Sequence, residues 1–92
     1  MILTDKCKEE FLKNYMFDNE SFNYYPSMYQ NALIIEFFDN IGLYIFIDRS
    51  FFFDDWSCKI IGHYKENHFN SRSEATQSAL TKANEIFNNL NK

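Results

Sequence analysis

Three residues with ligand or nucleophile chemistry fall close together in this 92-residue chain: Cys58, His63 and His68. Thiolate and imidazole are good zinc donors, and a cysteine beside a histidine can act as an activated nucleophile. Residues 56–65 read as a strand, however. The two-residue period of a strand puts Cys58 with Trp56, Ile60 and Tyr64 on one face, and His63 with Ser57, Lys59 and Ile61 on the other. Cys58 and His63 then cannot converge on one ion or one substrate without a bulge. Asp54-Asp55 reads as a solvated turn. A nuclease of the restriction type would carry Asp-x-Lys or Glu-x-Lys on a strand, and neither triplet occurs. With only Gly42 and Gly62, a glycine-rich phosphate loop is excluded. The expectation is a protein that is not an enzyme, with no catalytic residue, no cofactor and no metal site.

The elements that would position a binding surface are more informative. Residues 31–48 read as two apolar, β-rich runs around Asp39-Asn40-Ile41-Gly42, a type I turn closed by a left-handed glycine. Pairing Asp39 with Leu43 and Phe37 with Ile45 gathers Leu33, Ile35, Phe37, Leu43, Ile45 and Ile47 on an inner face. Glu36, Phe38, Tyr44, Phe46 and Asp48 are left on the outer one. A shift of one residue would place the Glu36 carboxylate among aliphatics, which is costly.

On either side lie two helices. Residues 4–16 show Leu3, Cys7, Phe11 and Tyr15 at four-residue spacing, with Leu12 and Met16 alongside, and Thr4 or Asp5 is placed to cap the first turn. Ser71-Arg72-Ser73-Glu74 is a capping box that opens a second helix, with Ala75, Ala79, Ala83, Ile86, Phe87 and Leu90 as its stripe. Its small residues come first, which implies a close approach to the sheet there. Residues 17–30 show no period; Phe22, Tyr24, Tyr25 and Tyr29 in them read either as a cluster over a sheet edge or as a binding loop. Residues 65–67 turn the chain, and His68-Phe69 read as a short fourth strand. The sum is one α+β domain over residues 1–92: an antiparallel meander of three to four strands flanked by helices in the order αβββα, with two layers favoured over three.

Charge narrows the partner. Residues 18–55 carry seven carboxylates against Arg49 alone, while residues 1–17 balance to zero and residues 56–92 to plus two. Direct nucleic-acid binding needs the reverse sign. No run is long and apolar enough for a membrane span, the start lacks the pattern of a signal peptide, and two well-separated cysteines fit buried thiols in the cytoplasm of a host cell. Phe, Tyr, Met, Ile, Asn and Lys supply 47 residues while Gly, Ala, Arg and Pro supply 9, which is the usage of an AT-rich genome.

The segment HFNSRSEATQSALTKANEIFNNL, through Phe69, Ser71, Arg72, Glu74, Ala75, Ala79, Ala83 and Ile86, resembles the ending of the phage ABA sandwich domains. That resemblance covers about a quarter of the chain and implies an α and β sandwich of mobile-element origin. It implies no activity. Together these features lead us to expect a phage-type protein that binds a basic, nucleic-acid-handling host enzyme as an inhibitor of the anti-CRISPR kind. The expected contact residues are Glu36, Phe38, Tyr44, Phe46, Asp48, Phe52, Phe53, Asp54 and Asp55, joined by Tyr24 and Tyr25. Self-assembly as a homodimer or virion component, and a small-ligand site under the tyrosines, are the alternatives.

Overall fold

The computed structural model describes residues 1–15, 18–50 and 52–92. The expectations for Met16 in the first helix and Phe17 in the segment without a period lie outside the described residues, as does Phe51. In chain order the elements are α1 (Asp5–Tyr15), α2 (Asn19–Asn23), α3 (Ser27–Asn40), β1 (Ile45–Arg49), β2 (Trp56–Ile60), β3 (Tyr64–Phe69) and α4 (Arg72–Leu90). The strands form an open antiparallel sheet in the order β1-β2-β3, with helices at both ends of the chain. It is the α+β, αβββα class that the sequence predicts, although the first predicted strand is helix and the third observed strand runs through residues read as a turn.

The first correction concerns residues 31–40, which are helix and not the first arm of a hairpin. In an extended segment Ile34 and Phe38 would oppose Phe37. In a helix all three fall on one side, where they are fully buried, and Glu36 faces solvent. The glycine signal is real but belongs to another motif. Gly42 adopts φ +86°, its N–H donates to the Asp39 carbonyl at 3.2 Å, and the Leu43 N–H donates to the Phe38 carbonyl at 2.9 Å. This pair of bonds is a Schellman ending, with Gly42 just past the helix and Leu43 buried in the same cluster as Phe38.

The second correction is at Ile61-Gly62-His63, where the predicted 56–65 strand folds back. The His63 N–H reaches the Ile60 carbonyl at 2.9 Å and Gly62 takes φ +78°. Residues 65–67 therefore run on in β3, and His68-Phe69 end that strand instead of forming a fourth. A bulge lies opposite Ser57, where the register shifts between Trp56↔Phe69 and Cys58↔Glu66 and His68 has φ +72°.

Helix α4 covers one face of the sheet. Ala75 and Ala79 pack on Cys58 with Trp56, Tyr64 and Phe69, so the early alanines do mark the close approach. Ser71 caps the helix by accepting the Glu74 N–H at 3.1 Å, and Glu74 returns to the Asn70 N–H at 3.0 Å. Leu90, predicted in the stripe, is exposed. The helices are held together by phenylalanines: Phe11 meets Phe22 edge-on at 5.0 Å and Phe37 at 5.5 Å, and Phe37 lies 6.0 Å from Phe87.

Helix α1 is not capped by its own Thr4 or Asp5 side chain. Asn84 and Asn88 of α4 accept the Thr4 and Cys7 N–H groups, each at 2.9 Å, and the Asn84 amide donates to the Thr4 hydroxyl at 3.0 Å. Asparagines one turn apart on α4 thus satisfy the amides that a local cap would take.

Candidate functional site

The residues that the sequence nominates for binding fall into three groups. Phe38 joins none, because it is wholly buried beneath α3. Glu36, Tyr24 and Tyr25 lie on the helical side; Phe46 and Asp48 lie on the outer face of β1, with Tyr44 just before it; Phe52, Phe53, Asp54 and Asp55 lie in the β1–β2 loop.

The helical group is the α2–α3 shoulder. Asp18 starts it: one carboxylate oxygen accepts the Ser21 N–H at 2.7 Å and the other the Ser21 hydroxyl at 3.2 Å. The Ser21 N–H, and then its hydroxyl, hold the Asp18 carboxyl below its ordinary pKa. At the corner the Gln30 amide donates to the Tyr25 carbonyl at 2.7 Å, and the Pro26 carbonyl receives the Tyr29 and Gln30 N–H groups. The bend is thereby fixed, and large side chains stand out from it: Tyr24 is 81% exposed, Met28 77% and Tyr29 61%. Met28, Ala32 and Glu36 continue at four-residue spacing along the solvent side of α3, with Asp39 beyond. Glu36 also acts on Tyr15, whose phenol is pushed up by burial and then by that carboxylate.

Met28 is absent from the sequence-based readings, and Tyr29 enters them only through the loop alternative for residues 17–30, not as an expected contact residue. The sequence signal for Met28 is the 28-32-36 helical spacing, which a hairpin reading of residues 31–40 breaks.

In the β1–β2 loop Asp54 adopts φ +52° and its carboxylate pairs with Arg49. Asp55 takes the His68 ring Nδ1 at 2.7 Å. The four polar side chains pin the loop on both flanks while Phe52 and Phe53 protrude. Its carboxylates are thus engaged with cationic or ring nitrogens of the same chain.

The outer face of the sheet differs from expectation in charge. Tyr44 and Phe46 face outward as predicted, half-exposed, and Ile61 lies opposite Tyr44 through a 3.0 Å bond between their backbones. Lys59 is opposite Phe46, its amine 5.8 Å from the ring centre, and Lys65 follows Lys59 on β3. Asp48 is the single carboxylate that β1 directs outward. The surface is aromatic and cationic, not aromatic and acidic.

Cys58 is buried on the inner face, while His63 sits in the exposed β2–β3 turn and not on the strand where the sequence placed it. Both cysteines are free and buried. Burial pushes the Cys7 thiol up to about 12 and raises that of Cys58 as well. Among the described residues no three His, Cys, Asp or Glu side chains form a metal-sized group, and no helix is long and apolar enough to cross a membrane. An open depression of about 330 Å³ between α1, α3 and α4 is floored by Phe37 and Phe87 and rimmed by Lys6 and Glu10, apart from the tyrosines. Comparison with known protein families, curated proteins and solved structures finds no match.

Proposed function

We propose that this chain is a non-enzymatic binding module whose α2–α3 shoulder docks on a basic protein surface. The observation that carries this reading is a segregation of charge: between Lys13 and Asp48 there are four carboxylates, Asp18, Glu20, Glu36 and Asp39, and no Lys, Arg or His, and the same stretch holds Tyr24, Met28 and Tyr29. Exposed rings and a methionine on a braced corner give contact area at little entropic cost. The surrounding carboxylates steer a cationic partner and repel nucleic acid. Enzymes that handle nucleic acid carry such cationic surfaces to meet phosphate. A small acidic protein seated there competes with DNA or RNA, which makes it an inhibitor of a bacterial defence nuclease, of the anti-CRISPR kind, acting in the host cytoplasm. The AT-rich residue usage and the likeness of residues 68–90 to phage ABA sandwich endings support a mobile-element origin.

The test titrates the purified protein into DNA-cleavage reactions of purified RNA-guided and restriction nucleases. We expect stoichiometric inhibition of at least one, relieved by salt and lost on Tyr24→Ser plus Tyr29→Ser. Cleavage unaffected across the set, or inhibition equal in the variant, overturns the reading.

A further inference from the structure

We infer that the outer face of the sheet is a docking site for a second copy of this chain, which presents its α2–α3 shoulder there. The inference shares the shoulder with the function proposed above but concerns a different surface. Tyr44, Phe46 and Ile61 form its apolar part, each between 47% and 50% exposed, and Lys59 and Lys65 extend from Phe46 across two strands. Among the described residues neither lysine is in an ion pair, and the same holds for Glu20 and Glu36 on the shoulder. The chain thus displays two surfaces of opposite sign whose named lysines and glutamates have no ion-pair partner among the described residues, each with large apolar side chains.

Their spacings agree. Two strand separations put Lys65 roughly 10 Å from Phe46. Two helical turns put Glu36 roughly 10 Å from Tyr29, with the small Ala32 between them. A copy of α3 laid across the strands sets Tyr29 against Tyr44 and Phe46 while Glu36 reaches Lys65. The chain's own α3 cannot make this contact, because α3 and α4 pack on the other side of the sheet. Shoulder and sheet face are different patches, so the contact is heterologous: the dimer keeps one free shoulder on one copy and one free sheet face on the other, and association proceeds past the dimer.

The test uses sedimentation velocity on the full chain over a wide concentration range. We expect a mass that rises with concentration and falls back as salt is raised. Lys59→Glu plus Lys65→Glu weakens association by about tenfold or more, as does Tyr29→Ser plus Glu36→Gln; all four sites are exposed, so the fold is kept. The decisive arm mixes these two variants. Each alone is monomeric, and one intact sheet face plus one intact shoulder give a 1:1 dimer that grows no further. A wild type that stays monomeric, or a mixture without the dimer, overturns the inference. Nuclease inhibition by the lysine variant reads the other proposal separately, since that variant keeps its shoulder.

Discussion

The shoulder and the outer sheet face are built from the same kinds of side chain but present opposite charge. Three exposed tyrosines and a methionine sit among Asp18, Glu20 and Glu36 on one side of the molecule; a tyrosine, a phenylalanine and an isoleucine sit beside Lys59 and Lys65 on the other. Their supports differ too. The shoulder rides on α3, whose inner side is locked into the phenylalanine cluster, whereas the sheet face is the bare side of strands whose other side meets α4. An overall charge of −4 conceals this polarity. What a protein of this size can bind is set by where its charges lie.

The sharpest way to break the comparison is to remove a ring from each region. Phe38→Ala deletes a fully buried side chain beneath the shoulder and is expected to cost about 3–5 kcal/mol of stability. Phe46→Ala, at a half-exposed site, is expected to cost under about 1 kcal/mol. Chemical denaturation of both variants checks it; equal losses would restore Phe38 to the surface.

Thiol chemistry sharpens the same contrast from inside. Burial pushes the Cys7 thiol, on the helical side, up to about 12, so little thiolate is present near neutral pH and its alkylation in the native protein is expected to be slow. Cys58, under the sheet, is raised as well and is expected to react slowly in the native protein, while both react at once after denaturation. Mass spectrometry of partly alkylated protein reads the order.

Next in size is the tie between α4 and the start of α1. Asn84→Ala leaves the Thr4 N–H without its acceptor in a part-buried place, for a loss of about 1–3 kcal/mol. The sheet lies away from this contact, so hydrogen exchange should quicken in α1 before it does in β2. Uniform loss of protection would show that the two regions do not open separately.

These effects also mark which parts of the fold the sequence announces. The capping box at Ser71 and the run of alanines are local signals, and both lead to what the structure contains. Asp39-Asn40-Ile41-Gly42 is also local but has two physical meanings. A left-handed glycine closes a hairpin or ends a helix, and what decides is whether Ile34, Phe37 and Phe38 have a common interior to enter. That interior is made by Phe11, Phe22 and Phe87, far away in sequence. The alternation of Tyr44, Phe46 and Asp48 survives the change because β1 keeps its own two-residue period. Lys59 and Lys65 become neighbours only once Gly62 folds β2 onto β3, so the charge of the sheet face was not legible until the register was known. Asn84 and Asn88 give no sequence hint that their partners are at the opposite end of the chain.

The smallest expected effect is on pH. Asp18 is held below its ordinary pKa by Ser21, so its hydrogen bonds support α2 above the usual carboxylate range and are lost as the pH falls through the lowered value. Amide protection at Ser21 should therefore drop in acid, with β2 unchanged over the same interval. Asp18→Asn should flatten that response.

The most direct test of the account compares charge changes on the two surfaces in one cleavage assay. Tyr29→Ser plus Glu36→Gln alters the shoulder, Lys59→Glu plus Lys65→Glu alters the sheet face, and each is titrated against a nuclease that the wild type inhibits. We expect the shoulder variant to lose inhibition and the sheet variant to retain it. Loss in the sheet variant with full inhibition by the shoulder variant would contradict the assignment of the docking surface.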